Sequence, residues 1–201
     1  MPPEKKITVK KLPKKRSQPS KKTEIVILGL TPGKQQHEAI IKATIAREAA
    51  FKGFMRKQMF EWFQYLKIDK FLNLENEDSL FTKKYLSRVY ITSLLRDPVY
   101  IQIDSKLKNY TGRNPYPWND KDLLLLMKDT IKQLNKLHNS CLIIPLGQVV
   151  SMAIQNFSEL DDDHYVLHGF PHPSGANGHR KKEFLENRRE LRKIAQEYFD
   201  S

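Results

Sequence analysis

From residue 24 onward the chain alternates short apolar runs with longer stretches whose apolar residues recur every three or four positions. Glu24–Leu30 (EIVILGL), Arg88–Leu95 (RVYITSLL) and Cys141–Leu146 (CLIIPL) are compact and rich in β-branched residues, which predicts strands. Tyr165–Leu167 is a shorter run of the same kind. Between them, Ile40, Ile41, Ile45 and Ala49 share a helical face over a stretch that follows Gln36 and runs to about Ala50. Met55, Met59, Trp62, Phe63 and Leu66 mark a second helix, and Leu124, Met127, Ile131, Leu134 and His138 mark a third over Asp122–His138. Val149–Phe157 predicts a fourth helix, and Phe184, Leu185, Leu191, Ile194, Ala195 and Tyr198 predict a last one. Alternation of this kind implies a mostly parallel sheet of about four strands with helices on both faces, a three-layer α/β/α sandwich. The loops that follow parallel strands share one edge, so Gly29–Gln36 and Gly169–Arg180 should border a single cleft.

Those two loops break the pattern most sharply. Gly169-Phe-Pro-His-Pro-Ser-Gly-Ala-Asn-Gly-His-Arg180 holds three glycines and two prolines, which forbid regular structure and set His172 between Pro171 and Pro173. A small-residue loop running through Asn177, His179 and Arg180 into a helix is also suited to holding an anion. Gly29-Leu-Thr-Pro-Gly33, followed by Lys34, Gln35 and Gln36, makes a strand–turn–helix step but matches neither GxGxxG nor a Walker loop. Ala50-Phe-Lys-Gly-Phe54 interrupts the helical run with a glycine between aromatics. Asn109–Trp118, within an irregular insert between Ile101 and Asn119, mixes aromatics, Arg113 and prolines. Such a mixture suits either stacking on nucleic acid or a lid that touches no ligand.

Composition adds two constraints. At 201 residues the chain has room for one ordinary domain with a buried core, and no apolar run reaches the length of a membrane span. The net charge of +12 is concentrated near the start, where residues 1–22 carry nine Lys or Arg against Glu4. That segment contains little to bury and is expected to be a disordered basic tail ahead of a domain spanning 23–201. Basic arms of this kind suit polyanions, nucleic acid above all, or serve only as solubilising tails. With Cys141 as the single cysteine there is no thiolate set for a metal or cluster. Asp161, Asp162 and Asp163 lack a second ligand group and are read as a solvated loop, so neither a metal nor a cofactor is expected. A monomer in the cytoplasm, associated with the nucleoid in a bacterium, is the expected setting.

Taken together, Gly29-Leu-Thr-Pro-Gly33 after the first strand and His172-Pro-Ser-Gly175 after the last resemble the two signature motifs of the uracil-DNA glycosylase superfamily. Phe51-Lys-Gly53 resembles the segment whose aromatic stacks on an extruded base. Val89-Tyr-Ile-Thr-Ser93 resembles the strand that ends in a base-reading residue, and Ile143-Ile-Pro-Leu-Gly147 the step ahead of the second motif. The resemblance covers residues 24 to about 200. It implies an enzyme that flips a base out of single- or double-stranded DNA and hydrolyses its N-glycosidic bond, leaving an abasic site. It assigns His172 as the donor to the departing base and Thr31 to the attacking water. Phe51, Ser93, Gly29, Leu30 and Gly33 would grip the base. Lys34, Gln35, Gln36, Ser174, Gly175, Asn177, His179 and Arg180 would hold DNA.

Two departures bear on the substrate. Thr31 stands where many members carry Asp or Asn, and a hydroxyl is a poor base. Ser93 stands where uracil-selective members carry Asn, whose amide offers a donor and an acceptor together. The resemblance therefore implies a monofunctional glycosylase for a damaged, deaminated or modified base more than for uracil itself. Two alternatives stay open: a glycosylase of hypermodified cytosine in phage DNA, acting in antiviral defence, and a non-catalytic DNA-binding member of the fold.

Overall fold

The computed structural model describes residues 5–12, 18–41, 46–51, 53–103, 106–137, 139–157 and 159–201. The elements run β1 (Lys5–Val9), β2 (Ile25–Gly29), α1 (Lys34–Ile41), α2 (Ala46–Ala49), α3 (Phe54–Leu66), α4 (Ile68–Leu72), β3 (Val89–Ser93), β4 (Val99–Ile103), β5 (Lys106–Asn109), α5 (Lys121–Leu134), β6 (Leu142–Pro145), α6 (Gln148–Phe157), β7 (Tyr165–Val166) and α7 (Arg180–Asp200). The central sheet has the order β3-β2-β6-β7, and every pairing in it is parallel. The chain is thus a three-layer α/β/α sandwich, as the alternating pattern implies.

Residues 25–28 of β2 are fully buried, and their alternation splits the core in two. Ile25 and Ile27 face one layer with Met59, Trp62, Phe63 and Leu66 of α3 and Phe184, Leu191 and Ala195 of α7. Val26 and Leu28 face the other, with Leu123, Met127 and Ile131 of α5 and Val150, Ala153 and Ile154 of α6. Strands apolar at every position are what a sheet covered on both faces requires. Local chemistry sets the helix ends: the Asp120 carboxylate caps α5 by accepting from the N–H groups of Asp122 and Leu123. Lys67 ends α3 in the left-handed region at φ 64°. Among the described residues, no helix is long and apolar enough to cross a membrane.

Three expectations change. The helix expected after Gln36 to about Ala50 begins earlier, at Lys34, and is described as α1 and α2, with residues 42–45 between them outside the described part, where His138 also lies. The insert between Ile101 and Asn119 is not wholly irregular, because β4 runs to Ile103 and β5 follows as a hairpin partner, Tyr100 opposite Asn109. The basic tail is not disordered over residues 5–12. Its β1 pairs antiparallel with β4, Ile7 opposite Ile101 and Val9 opposite Val99, in a second sheet of order β1-β4-β5.

Charge dominates the composition of that tail, but its alternation of Ile7 and Val9 with polar neighbours has the period of a strand. Both side chains pack on the α5–α6 core. The segment is then pinned by Lys10 N–H donating to the Pro98 carbonyl at 2.9 Å and Leu12 N–H to Asp97 Oδ1 at 3.0 Å. Removal of residues 1–12 is expected to lower the unfolding free energy by about 2–3 kcal/mol, the burial of two aliphatic side chains. A melting temperature equal to that of the full chain would show instead that the strand contributes nothing to the fold.

Candidate active site

All four strands of the central sheet end on one edge, and the two glycine-rich loops leave from it. Gly29 ends β2 opposite Ser93, the last residue of β3. A Cβ at Gly29 would lie 3.7 Å from Ser93 Oγ and 4.0 Å from Phe51 Cζ. Three residues expected to grip a base therefore meet at one point. Phe51 is half-buried, 6.3 Å from Phe81 between ring centroids, and its φ is 52°. A left-handed conformation costs a bulky residue about 1–2 kcal/mol. The Arg56 guanidinium offsets that cost by donating to the carbonyls of Glu48 at 2.6 Å and Ala50 at 2.9 Å and by lying 4.0 Å from the Phe81 ring.

One strand further along the edge, β6 ends and Gly147 turns the chain into α6 at φ 91°. His172 rests on this turn, its Cβ 3.1 Å from where a Gly147 Cβ would stand. Gly147 N–H donates to the Phe170 carbonyl at 2.9 Å. Phe170 is wholly buried between Trp62 and Phe184, and Pro171 and Pro173 are buried on either side of the histidine. The imidazole thus hangs between anchored neighbours. Its Nδ1 accepts from Ser174 N–H at 3.2 Å, which puts the ring proton on Nε2. Burial lowers its pKa below the usual 6.5, so the ring is neutral near pH 7. His172 accordingly presents an uncharged N–H donor held in one tautomer.

The remaining candidates divide. The Thr31 hydroxyl donates to the Asp97 carbonyl and accepts from Val99 N–H, both at 3.0 Å. Its only proton is committed to a backbone clamp between the first loop and the start of β4, which leaves one lone pair of the oxygen as its remaining polar capacity. Gln36 Oε1 accepts from Gly33 N–H and closes the turn into α1. Lys34 is exposed, 4.0 Å from Glu38, and the side chain of Gln35 lies outside the described part. Leu30 packs on the α5–α6 core and meets Gly112 of the insert, where a Cβ would come within 2.9 Å of it.

In the second loop, Ser174 Oγ accepts from Ala176 N–H, and Asn177 bonds to Glu183 and to His179 N–H. Arg180 donates to the Asn177 carbonyl at 2.8 Å and stacks 4.9 Å above Phe54. Asn177 and Arg180 shape the loop, whereas Gly175 and His179 are exposed at its surface. Asp97, Arg47 and Arg56 are residues that sequence reasoning missed. Asp97 is 4% exposed, and nothing in the run Arg96-Asp-Pro98 distinguishes it from a turn.

Away from this edge, a shallow depression of about 500 Å³ lies between Gln18–Lys21 and Asp129, Gln133, Lys136 and Leu137 of the α5 region. Among the described residues its lining contains no histidine and no aromatic ring. Cys141 is buried, its thiol pushed up to about 11 by burial and then by Glu24, and it is inert as a nucleophile. No family model matches the chain. The chain is 28% identical to the uncharacterized protein YoxB of Bacillus subtilis strain 168, a likeness that spans 83% of this chain and 71% of that protein.

The depressed histidines make stability depend on pH. His172, His168 and His164 all hold folded pKa values below 6.5 through burial. The unfolded chain therefore takes up protons first as pH falls. Their contribution is complete above pH 6.5 and is lost as pH drops through 6.5 towards the folded values. Urea midpoints measured from pH 8 to 5 should fall over the lower half of that range, and His172→Gln should make the fall shallower. A profile that stays flat to pH 5 would contradict the assignment of a buried neutral His172.

Proposed function

We propose that this protein is a DNA N-glycosylase that extrudes a damaged, deaminated or modified base and hydrolyses its bond to the sugar. The observation that carries the reading is the neutral His172, its Nε2–H freed by the Ser174 bond to Nδ1. The meeting of Gly29, Ser93 and Phe51 one strand away is consistent with a base slot. In the reaction the N-glycosidic bond breaks and its electron pair leaves with the base. A donor aimed at a base carbonyl stabilises that growing charge more than it stabilises the bound substrate. Water then adds its oxygen to C1′ and gives its proton to the departing base or to solvent. With Thr31 occupied in its clamp, the barrier is lowered mainly at the leaving group.

The exposed loop residues Gly175 and His179, with Lys34, are the groups available for phosphates. DNA as the partner and action in DNA repair or in defence against modified phage DNA belong to this reading. A specific observation favours the non-catalytic alternative only in part: Thr31 lacks a free proton, yet the His172 donor is intact. His172→Ala should lower the single-turnover excision rate by about 10²–10³, as loss of an oxyanion-type donor does, with DNA affinity kept. Release of abasic sites, read as alkali-labile breaks, is the assay. A variant that cuts at the parental rate would remove His172 from the chemistry, and base-selective binding with no excision would establish the binding-only member.

Ser93 sets the expected selectivity. Its short hydroxyl cannot satisfy a carbonyl and a ring N–H together, and one group left unpaired in a dry pocket costs about 1–3 kcal/mol. The parent chain should therefore prefer a base other than uracil across a panel of uracil, hypoxanthine, xanthine and cytosines bearing hydroxymethyl or sugar groups. Ser93→Asn should shift preference towards uracil. Uracil as the best parental substrate, unaltered by Ser93→Asn, would show that the base is read elsewhere.

A further inference from the structure

We propose that Ser151 and Asn187 are positioning residues for His172, clamping from two sides the turn that carries the chain from β7 to the histidine. This rests on the reading of His172 as the donor to the departing base, and adds two residues to which the resemblance gives no role. The strand ahead of that histidine is a slight support. β7 has only two residues, Tyr165–Val166, and lies at the edge of the central sheet, paired with β6. After it, Leu167–Phe170 forms a tight turn closed by Phe170 N–H donating to the Leu167 carbonyl at 3.2 Å. Gly169 is the third residue of that turn, and its φ of 81° is what a type II turn requires there. Types I and II differ by rotation of the peptide between the second and third residues, here His168 and Gly169. A turn free to rotate that peptide would aim Phe170 and the histidine beyond it in two directions.

Two side chains hold that peptide and the next. Ser151 of α6, only 7% exposed, accepts from Gly169 N–H at 3.2 Å through its Oγ, which also pairs with His168 Nδ1 at 3.1 Å. From α7, Asn187 Nδ2 donates to the Gly169 carbonyl at 2.9 Å. The two helices lie in opposite layers, since α6 packs with Val26 and Leu28 and α7 with Ile25 and Ile27. Both polar atoms of the Gly169 backbone are thus held, one from each face of the sheet. The fit is close, because a Cβ at Gly169 would stand 2.8 Å from Asn187 Nδ2. Ser151 also completes a circuit back to the site. Its N–H donates to the Gly147 carbonyl at 3.1 Å, and Gly147 N–H donates to the Phe170 carbonyl at 2.9 Å. Gly147 is the glycine on which His172 rests. Asn187 stands one helical turn from the buried Phe184 and Leu191, and Ser151 one turn from the buried Ile154. Packing alone would favour apolar side chains at both positions. The turn is what gives a hydroxyl and an amide partners there.

The test uses the full chain and, from the panel above, the DNA that the parent cuts fastest, in single turnover at saturating protein. Ser151→Ala and Asn187→Leu should each lower the rate about ten- to a hundredfold, as a small misplacement of a catalytic group does. The protein concentration at half-saturation should stay parental. Ser151→Thr, which keeps the hydroxyl, should restore most of the rate. Ala153→Gly loosens the same helix without touching the turn, and should lower the melting temperature but not the rate. The second readout is the proton–nitrogen NMR spectrum of the histidine rings, with His172 assigned through His172→Gln. The parent should show His172 as one Nε2–H tautomer, and Ser151→Ala and Asn187→Leu should broaden or split that signal. Parental rates and parental His172 signals in both variants would overturn the clamp. So would a rate that falls with Ala153→Gly as steeply as with Ser151→Ala, since lost stability alone would then explain it. If the parent chain cuts no DNA of the panel, the glycosylase reading falls and the spectra alone decide. An altered His172 signal then keeps the clamp, and an unaltered one removes it.

Discussion

Ile25, Val26, Ile27 and Leu28 are wholly withdrawn from solvent, and their strand is hydrogen-bonded to β3 on one side and to β6 on the other. A strand buried on both faces and both edges cannot slip by one residue without exchanging its two cores. Its end at Gly29 is therefore fixed in space, as are the ends of β3 at Ser93 and β6 at Pro145, each about 4.8 Å to the side. Everything placed at the carboxyl edge inherits that precision. The loop bearing His172 gains its own anchor from Phe170, which belongs to the same core as Ile25 and Ile27.

Two arginines perform the polar counterpart of this anchoring. Arg47 donates to the carbonyls of Leu80, Tyr85 and Val89, and burial brings its pKa down to about 10. Arg56 holds the carbonyls of Glu48 and Ala50 and reaches Asp78 at 2.6 Å. Between them they join α2 and the Phe51 turn to the chain that leads into β3. Hydrogen bonds from a charged donor to carbonyls are stronger than those between neutral groups. That is the means by which a left-handed phenylalanine persists beside Gly29. On the other flank, Asp97 accepts from Leu12 through its side chain while its carbonyl accepts from Thr31.

Much of this was legible in the chain. Continuous apolar runs announce a doubly covered sheet, so the layers and the shared edge follow from Glu24–Leu30, Arg88–Leu95 and Cys141–Leu146. The Pro-flanked His172 and the Phe-Lys-Gly interruption mark two places where regular structure must fail. Less visible was β1, because five residues carrying two lysines read as tail until β4 is there to pair with them. Nor could the fate of the Thr31 hydroxyl be read, since its partners lie 66 and 68 residues away. Hydrogen bonds that depend on tertiary approach leave no periodicity behind. The same holds for Arg47 and Arg56, which look like ordinary solvated positions on amphipathic helices.

Gly147 contributes no functional group, yet His172 occupies the space its missing side chain leaves. Its φ of 91° further restricts what can replace it. In a saturation scan read by function, this position should be as intolerant as the histidine itself. Any side chain here would strain the backbone as well as press the imidazole aside by a few tenths of an ångström. If the proposed chemistry holds, loss-of-function alleles would gather at a residue that carries no functional group of its own.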